Sequence, residues 1–311
     1  MAFGGGTGLP VLLRGLRDRV SDLAAVVTVA DDGGSSGRLR QELGVAPPGD
    51  VRNCLVALAG RQRLAEVFDY RFEAGEEMRD HAVGNIIIAA LADMSGSFEE
   101  GVERAARFLR VKGRVYPAAT ESLTLVVRYA DGTVTRGESI VHETKKQVAS
   151  VSVEPEGTPA PDGVIEAIRR ADLIALSPGS LFTSTIPSLL GSGVREALSG
   201  FSGPVVYAAN VMTQAGETGG FSVADHVRAV GDHVGLAITD VLVHEGDFSD
   251  ELLERYRAED ATPTVVDRDE LEALGVRLYG ADLLSDDNPA GIRHDPDKLA
   301  EEVLKAGLVR S

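Results

Sequence analysis

Four times in this chain a short apolar run ends in a polar, glycine-bearing loop and then passes into a helical pattern: MAF into GGGTG, AAVVTV into ADDGGSSG, LIAL into SPGS, and VVYAA into NVMTQAGETGG. A strand followed by a helix cannot pair with its successor as a hairpin. Repeated alternation of this kind predicts an α/β fold with a mostly parallel sheet and helices on both faces. In such sheets ligands bind beyond the C-terminal ends of the strands, where these loops fall.

The pattern can be followed along the chain. Met1 to Phe3 leave room for only a very short first strand, unless the N-terminus is truncated. Leu9, Leu12, Leu13, Leu16 and Val20 keep helical spacing, and Pro10 suits the first turn. Ala24–Val29 reads as a strand. Val51, Cys54, Leu55 and Leu58 mark a helix with Asp50 as its N-cap. Ala82–Ala92 and Phe98–Arg110 read as helices, the first buried. Alternation over Leu123–Tyr129, the ADGT turn and an extended Val134–Val141 predict a hairpin. With Val148–Val153 this makes a β-rich insertion at about residues 114–155. Beyond the proline-rich EPEGTPAPDG, helices are expected at 164–170, 183–198, 222–230, 252–257 and 296–306. Strands are expected at 173–176, 204–209, 241–244 and 264–266. No repeat or linker divides the chain, so 1–311 is read as one domain.

The loops carry the chemistry. In GGGTGLP, backbone N–H groups of Gly4, Gly5, Gly6, Thr7 and Gly8 can converge on an anion at a helix N-terminus. The alternative is a ligand-free tight turn. The motif is not the dinucleotide fingerprint, because Leu9 stands where a third glycine belongs, and no Lys-Ser/Thr pair makes it a Walker A loop. Asp31 and Asp32, at a strand end, suit ribose hydroxyls or a magnesium ion. Adjacent residues on extended chain point opposite ways, so one aspartate can face a ligand while the other caps. No cofactor is required by the pattern, and magnesium is the one metal it admits. Arg38 offers a fork for phosphate. Ser177, Gly179 and Ser180 repeat the phosphate-loop logic, Asn210 sits at a strand end, and Arg293 lies before the last helix. Ordinary capping, turn and surface roles stand beside each of these.

Charge narrows the partners. Forty-eight acidic against 31 basic residues give a net charge of −17. Such a surface repels nucleic acid and anionic membranes, whereas a local nest of N–H groups still holds a small anion. The one cysteine, Cys54, lies on an apolar helix face and fits a reducing compartment. No apolar run approaches the ~18 residues of a membrane span. A cytoplasmic protein is expected, as a homo-oligomer.

The motifs GGGTGLPVLLRGL, VTVADDGGSSGRLR, PPGDVRNCLVALA, HAVGNIIIAAL, SPGSLFTSTIPSLL, NVMTQAGETGGFSVADHV and GIRHD, in this order, resemble the bacterial gluconeogenesis factor family (YvcK-type). That family lies within the CofD-like superfamily of the 2-phospho-L-lactate transferase. The resemblance runs essentially the whole length. It implies a Rossmann-like core, binding of UDP-sugars of the UDP-N-acetylglucosamine type, and a role in cell shape and cell-wall supply during gluconeogenic growth. By the same resemblance the GGGTG backbone holds the diphosphate and Asp31 or Asp32 meets ribose or a metal. Asn53 and Asn85 contact sugar or base, the SPGS loop closes over the phosphates, and Arg293 supplies a cation. The transferase branch, which uses a guanosine diphosphate carrier, is the alternative. No nucleophile or general base is recognisable, which favours a binding protein. An oxidoreductase using a dinucleotide is disfavoured by the missing third glycine.

Overall fold

Ten strands are present in the computed structural model, which describes residues 1–75, 78–144, 146–285 and 292–308. In chain order they are β1 Ala2–Gly4, β2 Ala24–Val27, β3 Arg114–Pro117, β4 Thr124–Tyr129, β5 Val134–Arg136, β6 Val148–Glu154, β7 Ile174–Leu176, β8 Val205–Ala208, β9 Asp240–His244 and β10 Arg277–Ala281. Seven of them form one sheet in the order β10-β9-β8-β7-β1-β2-β3. Every pairing in it is parallel. The strands β1, β2, β7 and β8 are buried throughout, which is why they read as unbroken apolar runs rather than as alternation.

The order reverses direction once. From β1 the chain winds outward to β2 and β3; from β7 it winds the other way to β8, β9 and β10. Right-handed crossovers therefore place the two sets of connections on opposite faces. The helix Gly8–Leu16 packs against the C-terminal helix Pro296–Leu308, which also lies on β8, β9 and β10. Phe3, Leu9, Leu12, Val26, Ile174 and Tyr207 belong to one continuous core between the layers. The gap between β1 and β7 is the topological switch point, where two strand-end loops diverge and leave a crevice.

The expected α/β architecture is present, and five local expectations are corrected. The insertion sheet, β5-β4-β6, is antiparallel and begins at Thr124, not near 114, because β3 pairs in parallel with β2 inside the main sheet. The extended run to Val141 stops at Arg136: Gly137 turns with φ +102° and Ser139–Thr144 is helical. The helix expected over 183–198 is three pieces, a π turn at Leu181–Thr185, a 3-10 turn at Pro187–Leu189 and a helix at Val194–Ser199. Pro187 removes a donor and Gly193, at φ +86°, breaks the turn, so apolar spacing alone misleads there. Residues 264–266 hold only an isolated bridge, Val265 with Ser222, next to that of Pro263 with Met212. Finally, β10 was not anticipated. It is an edge strand of intermediate burial, so it lacks a clean apolar signature. The first strand is indeed only three residues long. Among the described residues, no helix is long and apolar enough to cross a membrane.

Candidate functional site

The loops after β1 and β7 meet edge to edge at the switch point. Gly8 passes so close to the Pro178 carbonyl that a Cβ at this position would overlap it. Gly6 takes φ +57°, a conformation glycine enters at no steric cost. Gly4 closes β1, and its carbonyl accepts the Thr28 N–H at 3.0 Å. The glycines thus do structural work whether or not a ligand is bound. Gly8→Ala is expected to destabilise the fold by at least ~1–3 kcal/mol, the usual cost of overpacking, read as a lower denaturation midpoint.

A cleft of about 390 Å³ opens between these loops. Gly6, Thr7, Gly8, Gly179, Ser180 and Asn210 line it, all residues singled out from sequence. Arg293 reaches it from the far end of the chain, and its Nη1 donates to Thr7 Oγ1 at 3.2 Å. Gly291 of the GIRHD motif lies outside the described residues. Another cleft, of about 400 Å³, lies around Met1, Asp22 and Arg170 at the opposite end of the sheet. Strand N-termini converge there and neither glycine loop reaches it, so the switch-point cleft is the better ligand site.

The SPGS loop is held by side chains rather than waiting open. Asn210 accepts the Gly179 N–H at 2.8 Å and donates back to the Gly179 carbonyl at 2.6 Å. Ser177 is fully buried beneath Gly4 and donates its backbone N–H to Phe3. The buried carboxylate of Glu217 accepts the Phe182 N–H at 2.6 Å, the Thr183 N–H at 3.3 Å and the Ser180 hydroxyl. An internal anion therefore occupies the donors of that turn, which the expected closure over phosphates would have used. The glycine loop has a similar arrangement: Gly6 N–H donates to Asp50 Oδ2 at 2.6 Å. Asp50 is consequently not the N-cap that its position suggested. It lies in the first turn of the helix Gly49–Ala57, whose cap is Pro48. Burial raises Asp50 to about 6 against the stabilising pull of the Gly6 N–H.

Glu138, carried on the insertion, was not singled out from sequence, yet it lines the same cleft. Burial first, then the charges of Asp50 and Asp31, push it up to about 9. Its position between the cleft and three other carboxyl groups arises only when the insertion docks. Nothing local in TRGES announces it.

The second motif lies beside this cleft. Asp31 accepts the Gly33 N–H at 2.8 Å, and burial raises its carboxyl above the ordinary range. Asp32 accepts the Ser139 N–H at 2.9 Å and so caps the insertion helix. The two carboxylates serve different backbone donors. Among the described residues, no group of three or more His, Cys, Asp or Glu side chains is placed to hold a metal ion. Arg38 donates to the Arg79 carbonyl at 2.7 Å, away from the cleft. Asn53 accepts from Arg52 on its own helix. Asn85 is buried and donates to Ser35 Oγ at 3.1 Å, and Ser35 also bonds His81 Nδ1 at 3.0 Å. Cys54 is buried, and burial pushes its thiol well above its ordinary value, so it is an inert core residue.

The chain has known relatives. The family model described as 2-phospho-L-lactate transferase CofD matches residues 1–284. The gluconeogenesis factor of Halalkalibacterium halodurans is 44% identical over 308 residues, spanning 98% of this chain and 95% of that protein. That of Bacillus subtilis is 43% identical over 300 residues, spanning 96% and 94%. A crystal structure of a UPF0052 family member from Bacillus halodurans superposes with a TM-score of 0.93 at 43% identity, covering 97% of both chains. At that identity and coverage, this chain belongs to the gluconeogenesis factor (UPF0052, YvcK-type) family, within the wider CofD family.

Proposed function

We propose that this protein is a cytoplasmic regulator that binds a UDP-sugar of the UDP-N-acetylglucosamine type in the switch-point cleft, and that it acts in cell shape and cell-wall supply under gluconeogenic growth. One observation carries the reading: the glycine loop, the SPGS loop and the Arg293 guanidinium converge on one cleft from three distant parts of the chain. An acidic protein that binds a diphosphate needs a local cation, and a guanidinium fork suits phosphate oxygens. The cleft volume lies within the usual range of ~300–1,000 Å³ for small-molecule sites. Its relatives are named as gluconeogenesis factors, and that name supports a regulatory role over a transferase one.

The lining hydroxyls also favour binding over catalysis. Ser180 and Thr183 bond each other, and Ser180 donates to Glu217. A carboxylate that already accepts two amide N–H groups is a weak base, so neither hydroxyl is activated. No resident cofactor enters this reading; magnesium would arrive as the counterion of the diphosphate. Thermal-shift titration with UDP-N-acetylglucosamine, GDP and NAD tests it. A ligand at a hundred times its Kd stabilises by about 2.7 kcal/mol. Stabilisation by the UDP-sugar is the expected result. Stabilisation by GDP alone, with magnesium-dependent phosphoryl-ester transfer, would establish the transferase reading that the CofD family model favours.

A further inference from the structure

One carboxyl group, that of Glu138, lies in the wall of the switch-point cleft, and three more lie close enough to act on it through their charge. Glu138 comes from the insertion, Asp50 from the helix Gly49–Ala57, Asp31 from the loop after β2 and Glu217 from the loop after β8. All three of the others raise the proton affinity of Glu138 through their charge, while a hydrogen bond from Thr183 opposes them. On the other side, Arg293 is the one arginine or lysine among the described lining residues. His294 lines the cleft too, but burial holds it down at about 4, so it is neutral at pH 7. An ionised Glu138 would set a negative charge in the cleft wall against a diphosphate.

The backbone sets where Glu138 sits. Gly137 turns the chain with φ +102°, and a side chain there would overlap the Asp32 carboxylate. Ser139, on the other flank, is pinned to Asp32 Oδ1 by its N–H. The Glu138 carbonyl accepts the Val141 N–H at 3.0 Å. Anchored on both sides, the residue joins the glycine-loop residues Gly6, Thr7 and Gly8 in the cleft wall.

We propose that Glu138 is a ligand-recognition residue of this cleft, and that its carboxyl group donates a hydrogen bond to a phosphate oxygen of the bound diphosphate. A carboxylic acid has one O–H to give, and a carboxylate has none. A buried acid kept neutral so that it can donate is a known solution to charge accumulating at a site. Its crowded surroundings keep Glu138 in that form up to about pH 9. The inference rests on the anion-cleft reading above.

The test compares wild type with Glu138→Gln, whose amide keeps a donor at the same reach but does not titrate. Dissociation constants for UDP-N-acetylglucosamine and for inorganic diphosphate are measured by isothermal titration from pH 7.5 to 10, with EDTA present. Ionisation of the ligand itself is common to both proteins and cancels in their ratio. At pH 7.5 the two proteins are expected to agree within about threefold. By pH 10 the wild type should have weakened about tenfold relative to the variant, because ionisation near pH 9 removes its donor. The variant should melt at or above the wild type at pH 7.5. The reason is a matter of sign: the folded pKa is raised above the ordinary 4.5, so the stability this group contributes at low pH is lost as pH climbs from about 4.5 to about 9, and glutamine suffers no such loss. A second measurement needs no variant. Heats of binding to wild type at pH 9.5, in buffers of different ionisation enthalpy, should report proton uptake. A pH-independent ratio, or binding without proton uptake, would overturn this inference while leaving the cleft assignment standing. Failure of both probes to bind at any pH would overturn the cleft assignment and this inference together.

Discussion

Glu217→Ala is expected to be the most damaging single change at the site, lowering stability by about 3–5 kcal/mol, as removal of one partner from a buried charged network does. Three donors lose their acceptor at once: the Phe182 N–H, the Thr183 N–H and the Ser180 hydroxyl. Each buried donor left unmet costs roughly 1–3 kcal/mol, and the terms are not additive because the turn can relax. Glu217→Gln retains an acceptor oxygen and should lose less. Urea denaturation of the three proteins reads the difference. The same geometry predicts a rescue: with the carboxylate gone, inorganic phosphate should raise the melting temperature of Glu217→Ala more than that of wild type. Equal midpoints for Glu217→Ala and wild type would show that the turn does not depend on its internal anion.

Arg293→Ala should do the opposite, sparing the fold and weakening the ligand. The side chain is exposed, and its hydrogen bond to Thr7 is a surface contact. Loss of such a contact changes stability by only about 0–1 kcal/mol. A hydrogen bond from a charged group to phosphate is worth roughly 1.5–3 kcal/mol, so affinity for the UDP-sugar should fall about ten- to a hundredfold. Arg293→Lys keeps the charge but loses the planar fork and should recover only part of the loss. Isothermal titration decides: equal dissociation constants for wild type and Arg293→Ala would remove this residue from the site.

These two residues differ in how they could be found. Arg293 was singled out from sequence as a cation near the chain end, and the fold delivers it to Thr7. Glu217 sits in a polar loop, MTQAGETGG, where an acidic residue draws no notice. Its role exists only because the loop after β8 folds under the turn after β7. The same holds for Asp50, read as a helix cap from its place before Val51, yet bonded to Gly6 across 44 positions of chain. Asp31 and Asp32 were legible as a strand-end pair. Which of them caps was not, since that depends on where Ser139 arrives.

The sequence by itself determined the layer architecture, most of the helices and the presence of glycine-bearing loops at strand ends. Those follow from hydrophobic periodicity and glycine chemistry, which act over a few residues and leave a mark wherever they operate. It also determined the family, because the motifs are long and ordered. Where a broken helix replaced a continuous one, at 181–199, periodicity and backbone chemistry conflicted, and Pro187 with Gly193 prevailed. Only the tertiary structure decided which loops face each other at the switch point, which carboxyl groups fill backbone donors and that Glu138 enters the cleft wall. Strand order, set by pairing between segments far apart in the chain, brings Gly6, Glu138, Glu217 and Arg293 together. Burial and the charges of Asp50, Asp31 and Glu217 then set the protonation of Glu138, which is not a property of that residue alone.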